Sequence, residues 1–569
     1  MRKLYTPRGE NLPEIPHNVS PRPRMRRDSF FCLNGRWDFA ATRSTKPPVF
    51  DRTILVPFAP ESLLSGIGET YDDKTVLWYR RAFTLPENFK QGRVLLHFGA
   101  VDQCCSVLLN GTPLGDHEGG YIPFTFDITD YLKEENELAV RVTDRLDSKI
   151  LPYGKQKRKR GGMWYTPTSG IWQTVWLESV PETYITDLAV EVTADWADLY
   201  VEGAKEGTVD ITTPFGPMQL PLHKGRAHIA PPFPRPWTPE DPYLYEFTVT
   251  TDTDKVHSYF ALREFSARAE NGLPRMCLNK EPYFFHGLLD QGYWSDGGMT
   301  PADPECFKED ILAMKSLGFN TLRKHIKVEP QLFYYYCDKL GMLVMQDMVN
   351  NSDYSFLRDT ALPTIGRLRK KDERLHRNPK SRAAFFKGMD ETVKLLKNHP
   401  CICLWTIFNE GWGQFASTEA YYRLRKMDRS RFIDTASGWF IPEVSDVCSR
   451  HIYFKKLTAE RSRKPYFLSE FGGFVYKDKA HSFSNGRAYG YGKCATREEF
   501  VTRLNALYRD EVLPLVKQGL CAAVYTQVSD VEDECNGLVT FDRRVQKITP
   551  EEFAPLSRKI CNAVITEDE

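Results

Sequence analysis

Eight short apolar runs recur through the second half of this 569-residue chain, with helical stretches between several of them. They fall at 283–287, 321–323, 342–345, 402–408, 432–435, 447–453, 466–469 and 522–526. Residues 305–317, 331–340 and 383–397 read as helices. In the last of these Phe385, Met389, Val393 and Leu396 return at spacings of three and four, the period of one buried helix face. Some 300 residues of strand-then-helix predict a (β/α)8 TIM barrel over 268–569. A doubly wound open sheet competes with it, but no G-x-G-x-x-G follows the first strand.

The first third reads as β. Runs at 53–56, 76–79, 93–98 and 137–142 are short and rich in β-branched and aromatic residues, and Asn110-Gly111 marks a tight hairpin turn. Many strands without a long helix predict a β-sandwich over 1–180. A second β unit, 181–267, has the size of an immunoglobulin-like sandwich. Its runs 187–192 and 245–250 alternate, and the prolines between them (Pro231, Pro232, Pro234, Pro236, Pro239, Pro242) can donate no ladder hydrogen bond and so predict loop.

Composition narrows the class. Lys+Arg 76 against Asp+Glu 75 leaves a net charge of +1, which provides no global field for nucleic acid or an anionic membrane surface. No run approaches the ~20 apolar residues of a membrane span, and the basic N-terminal stretch lacks an apolar core like that of a secretory signal. A cytoplasmic protein is the expectation. The 13 cysteines are odd in number and show no zinc-type spacing, so reduced, buried thiols and no metal site are expected.

In a barrel the chemistry sits where strands pass into the following loops. The fourth run passes into Asn409-Glu410-Gly411-Trp412-Gly413, and the seventh into Ser469-Glu470-Phe471-Gly472-Gly473. Each places a carboxylate at the rim. Two carboxylates are the minimum for cleaving an acetal: one protonates the departing oxygen, the other attacks or stabilises the anomeric carbon. That division needs unlike pKa values, set by unlike surroundings. Asn409, beside the first carboxylate, could bond a sugar 2-OH. From the pattern alone, Glu410 and Glu470 could equally be unrelated loop acids.

Longer motifs point to a family. Trp405-Thr406-Ile407-Phe408-Asn409-Glu410-Gly411-Trp412-Gly413 resembles the acid/base signature of glycoside hydrolase family 2, which holds β-galactosidases, β-glucuronidases and β-mannosidases. Tyr165 to Trp176 resembles the family's N-terminal signature, Ser469-Glu470-Phe471-Gly472 its nucleophile segment, and Asn320-Thr321-Leu322-Arg323 its second-strand segment. These motifs run in order over nearly the whole chain. The resemblance implies a jelly-roll sugar-binding-type domain, an immunoglobulin-like domain and a catalytic barrel. It also implies hydrolysis with retention through a covalent glycosyl-enzyme, with Glu410 as acid/base and Glu470 as nucleophile, no cofactor, and a carbohydrate as the partner. A homo-oligomer is compatible with it.

The resemblance also suggests supporting residues. Arg323 would neighbour the nucleophile and keep it ionised, and Tyr453 would hydrogen-bond it. His451 is expected to touch sugar, Trp412 to shape the mouth, and Asp347, at the end of the third run, to bind a hydroxyl. Asp290, Gln291, Tyr293 and Trp294 mix polar and aromatic groups as a sugar site does. Gln527, at the end of the eighth run, joins the binding set.

Departures from the family pattern leave the glycone open. His325, which joins the expected binding set, stands where a serine is usual, and Ile326 where a histidine is usual. The eighth run has no tryptophan, and the segment after it has no Asn-x-Lys. The expectation is a retaining exo-acting β-glycosidase, β-galactosidase-like; a β-glucuronidase or related uronidase or arabinosidase is the alternative, and a non-catalytic carbohydrate-binding relative is the alternative of another class. For an acidic sugar, Lys324, Lys327 and the basic run 155–160 become candidates for pairing with its carboxylate.

Overall fold

The computed structural model describes residues 2–362, 372–440, 442–486 and 488–564. Its N-terminal part is a sandwich of two antiparallel sheets. One runs in the order Phe30–Cys32, Val175–Val180, Arg93–Phe98, Phe124–Asp127; the other runs Arg52–Val56, Gly35–Thr42, Val76–Phe83, Asn136–Thr143, Cys104–Leu109, Thr112–Glu118. Asn136–Thr143 shows why the sheets close on each other. Leu138, Val140 and Val142 alternate with residues that face outward, and they meet Trp37, Phe39, Leu96 and Phe98 in one apolar core. The hairpin predicted at Asn110-Gly111 is present: φ is +53° and +79°, the positive pair that matches the twist of the flanking strands.

The middle unit is a β-sandwich of seven antiparallel strands, whose two halves are joined by one thin ladder. That ladder is a single pair, His223 with Arg226, between Gly216–His223 and Arg226–Ile229. There the sheet folds over, so that Leu199 and Ile229 from one half share a core with Val209, Phe247 and Val249 from the other. The proline-rich stretch between Ile229 and Tyr245 is loop, as its missing donors require. The change of pattern expected after residue 267 falls inside a strand, Phe265–Glu270. With Leu273–Leu278 it forms a hairpin, from which Arg275 donates to the carbonyl of Val516 at 2.9 Å, just before the last barrel strand.

All eight barrel strands form: Phe285–Asp290, Thr321–Lys324, Leu343–Asp347, Ile402–Asn409, Phe432–Ser437, Cys448–Ile452, Tyr466–Phe471 and Leu520–Tyr525. They pair in parallel in the spatial order 5-4-3-2-1-8-7-6, with no ladder between the fifth and sixth among the described residues. Most are buried along their whole length. Helices outside and packed side chains inside leave no wet face, which explains why they read as continuous apolar runs. Pro379–Leu396 turns Phe385, Met389, Val393 and Leu396 inward, as their spacing predicts. The barrel core is continuous with Phe58, Tyr165 and Trp172 of the sandwich, so the two share one apolar interior. All thirteen cysteines are free thiols.

Candidate active site

The fourth strand delivers Glu410 through a turn that its own residues dictate. Glu410 has φ +52° and its N–H donates to the Ser437 carbonyl at 2.9 Å. Gly411 follows at φ +75°, where an added Cβ would lie 2.2 Å from the Phe440 ring. Only glycine fits there, and the tight turn aims the carboxylate inward. After the seventh strand Gly473 does the same work, since its Cβ would sit 2.7 Å from the Tyr491 ring.

These turns bring the two carboxylates together. One oxygen of Glu410, one of Glu470 and a ring nitrogen of His451 all lie within 4.8 Å of one another. His451 Nδ1 is 2.8 Å from Glu410 Oε1, and its Nε2 is 3.6 Å from Glu470 Oε1. Tyr453 donates its hydroxyl to the other Glu470 oxygen, and Arg323 Nη1 donates to Oε1 at 3.0 Å. Burial pushes the Glu470 carboxyl up. The charges of His451 and Arg323 and the Tyr453 hydrogen bond outweigh that and hold it well below the usual carboxylate range.

Arg323 organises the floor of the site. Its side chain is wholly enclosed and reaches Asp347 at two points, the Ser469 carbonyl, Glu470, Asn409 Oδ1 and Ser437 Oγ, all at 2.9–3.0 Å. Asn409 Oδ1 accepts from both Arg323 and Ser437, which leaves its amide N–H groups for the cavity that it lines. His325 Nδ1 bonds Asp347 at 2.7 Å. Burial, then the nearby charge of Lys155, lowers its pKa, so the ring is neutral with Nε2 as an acceptor.

Several residues expected to touch sugar are placed otherwise. Asp347 is used up by Arg323 and His325. Asp290 is held by Lys324 Nζ at 2.6 Å and turns away from the cavity. Gln527 joins Gln291 to Asn536 behind the wall. Both nitrogens of His451 are engaged by protein, so it bridges the carboxylates from below. Arg323 also lies beneath the cavity and does not line it. In each case a barrel-interior charge is neutralised by its neighbour, because a buried ion is tolerated only when paired.

The cavity is lined by Asn409, Glu410, Trp412, Tyr453, Glu470 and His325 from the predicted set, together with Lys155, Trp164, Gln291, Tyr354, Tyr491 and Glu534. Trp164 packs edge-on against Trp412 at 4.7 Å, and Tyr491 stacks on Tyr453 at 3.7 Å. Aromatic walls with convergent polar groups suit a sugar ring. Gln291 and Lys155 were signalled by the polar-aromatic stretch and the basic run. Tyr491 and Glu534 stand in loops with no pattern that marks them. Glu410, His451 and Glu470 are also the group whose geometry could accept a metal ion, but Arg323 places a positive charge 3.0 Å from one of those carboxylates.

Comparisons with known proteins agree with this geometry. Residues 273–510 match the family described as "Glycosyl hydrolases family 2, TIM barrel domain", and residues 69–197 match "Glycosyl hydrolase 2 galactose-binding domain-like". The chain is 26% identical over 471 residues to a β-galactosidase of Thermoanaerobacter pseudethanolicus, covering 76% of this chain and 58% of that protein. It spans about half the length of the curated relatives it matches. Among solved structures it resembles a β-glucuronidase of an uncultured Clostridium sp. (TM-score 0.74, 19% identity, 94% of this chain and 99% of that one). It also resembles a β-galacturonidase from Eisenbergiella tayi (TM-score 0.67, 19% identity, 95% and 98%). With the sandwich and the barrel each matching a model of the same family, the chain belongs to glycoside hydrolase family 2.

Proposed function

We propose that this protein is a retaining exo-acting β-glycosidase that works by double displacement, with Glu470 as nucleophile and Glu410 as acid/base. One observation carries the reading: oxygens of the two carboxylates lie within 4.8 Å of each other. Retaining enzymes hold their carboxyl groups about 5–5.5 Å apart, while inverting ones leave ~6.5–9.5 Å for a water.

Each carboxylate has surroundings suited to its part. Glu470 is kept ionised by Arg323 and oriented by Tyr453, so one of its oxygens can attack the anomeric carbon as the bond to the leaving oxygen breaks. Glu410 gives its proton to that leaving oxygen. Water then cleaves the glycosyl ester, its proton returning to Glu410.

Ser437 spends its hydroxyl proton on Asn409 Oδ1, so the Ser437–His451 contact at 3.2 Å is a donation from Nε2–H. Nδ1 then meets Glu410 Oε1 at 2.8 Å, a pairing that holds one proton between them. Asn409, with its N–H groups directed to the cavity, is suited to the 2-OH.

The test is the stereochemistry of the first-formed sugar, read by proton NMR on an aryl β-glycoside panel of galactoside, glucuronide, galacturonide and mannoside. The β-anomer supports the reading. The α-anomer overturns retention, and sugar binding without turnover across the panel would favour a non-catalytic binding protein.

A further inference from the structure

In the basic run at 155–160, Arg160 joins the sandwich to the barrel, Arg158 is paired inside the sandwich, and Lys155 has neither kind of partner. Arg158 is held by Asp73, Asp144 and Asp147, and Arg160 by Glu532 at 3.3 Å and Asp533 at 2.9 Å. Lys157 lies over the Trp164 ring at 5.0 Å. Lys155 is buried, lines the cavity with Glu410, Glu470 and Glu534, and among the described residues makes no hydrogen bond and has no carboxylate oxygen within 4.0 Å, although its charge reaches Glu534 from farther off. The closest aromatic contact of its ammonium is the Tyr165 ring, 5.7 Å away.

The backbone around Lys155 is fastened on both sides. Its carbonyl accepts from Tyr165 at 3.0 Å, Tyr153 donates to the barrel's Asn350 carbonyl at 3.1 Å, and Gln156 Nε2 bonds Asp102 of the sandwich at 2.9 Å. The sandwich thus holds a fixed positive charge inside the barrel's cavity. The other lysines near the site are already paired: Lys324 with Asp290 and Glu329, Lys327 with Glu329 and the Met299 carbonyl. His325, the remaining basic group of the lining, is neutral by burial.

The carboxylates of the cavity have partners of their own. Glu470 has Arg323 and Tyr453, Glu410 has His451, and Glu534 accepts from the Tyr165 hydroxyl. A buried ammonium with no carboxylate in direct contact is costly, and a ligand carboxylate offsets that cost where a neutral hydroxyl does not. Resting on the glycosidase reading, we propose that Lys155 is a specificity residue that pairs with the carboxylate of a β-linked uronic acid, so that the glycone is anionic.

The experiment compares kcat/KM on 4-nitrophenyl β-galacturonide and β-glucuronide with the matching β-galactoside and β-glucoside, for the wild type, Lys155→Met and Lys155→Arg. The wild type is expected to prefer a uronide to its neutral counterpart. Lys155→Met should lower that preference about 30-fold or more, the effect of removing one partner of a buried charge pair, while Lys155→Arg keeps most of it. A wild-type preference for the neutral sugar, or a change in the ratio below about threefold in Lys155→Met, overturns the proposal. If the methionine variant does not fold, the wild-type preference and the arginine variant decide. If the wild type cleaves neither these four nor the β-mannoside, the glycosidase reading fails, and calorimetry with free galacturonate and glucuronate then judges Lys155 alone. Binding that Lys155→Met abolishes supports it; absent or equal binding overturns it.

Discussion

Arg323 and Asp347 form a two-point ion pair, Nε to Oδ1 and Nη2 to Oδ2 each at 3.0 Å, with both side chains out of contact with solvent. The pair fixes the guanidinium plane, and that plane aims Nη1 at Glu470 and Nη2 at Asn409. A planar fork can serve all these acceptors at once; a lysine ammonium on the same stem cannot. The orientation of the candidate nucleophile therefore depends on an aspartate that never reaches the cavity.

Replacing Arg323 should cost both stability and activity. Arg323→Met leaves Asp347 and Glu470 buried without the cation they share, and a destabilisation of about 3–5 kcal/mol is expected. Arg323→Lys should keep part of that stability yet lose activity, because it cannot span both carboxylates. Denaturant midpoints set beside kcat/KM separate the two; an arginine-to-lysine variant with full activity would contradict the positioning role.

Glu470→Gln should abolish turnover on every substrate, since an amide cannot form the glycosyl ester. Glu410→Gln should behave differently. Loss of the proton donor slows substrates with poor leaving groups by about 10²–10⁴, and activated aryl glycosides much less in the first step. A leaving-group series on both variants checks this, and an active Glu470→Gln enzyme ends the assignment.

Tyr453→Phe removes a hydrogen bond that favours the ionised form of Glu470, so the Glu470 pKa should rise. In the proposed mechanism the ionised carboxylate is the active form, and its loss sets the acid limb of kcat/KM. That limb should move to higher pH by roughly one unit, the worth of one charge-assisted bond. An unchanged acid limb would mean that Tyr453 does not act on the nucleophile.

His286 makes stability depend on pH. Burial lowers its pKa from the ordinary 6.5 to about 3, and Nδ1 is occupied by Ser557 at 2.8 Å. Above 6.5 the ring is neutral in both folded and unfolded chains. Below 6.5 the unfolded chain takes up a proton that the folded one refuses, so stability falls until the folded pKa is reached. At about pH 5 this amounts to about 2 kcal/mol. Urea unfolding at about pH 7.5 and about pH 5 measures the slope, and His286→Gln should flatten it.

Much of the architecture was legible because burial on both faces writes a barrel strand as an unbroken apolar run, and because the eight runs keep helical spacing between them. The ends of the fourth and seventh strands were legible for a related reason: Asn409-Glu410-Gly411 and Glu470-Phe471-Gly472-Gly473 combine a carboxylate with glycines at positive φ, a local requirement that only certain residues meet. The joining of the two halves of the middle sandwich was not legible. Whether two halves of a β unit join depends on one pair, His223 with Arg226, and alternation cannot specify which strands become neighbours.

What the sequence determined by itself is the succession of barrel strands, the turn chemistry and the presence of a carboxylate at the ends of the fourth and seventh strands. Which charges stay free was decided only by the tertiary structure. Asp290, Asp347, His451 and Lys324 look in the sequence as available for sugar as Lys155 does, yet each meets a partner from a distant strand and is consumed, while Lys155 arrives from another domain and makes no direct ion pair among the described residues. Pairing is a property of three-dimensional neighbours, because Coulomb attraction and desolvation act through space and not along the chain.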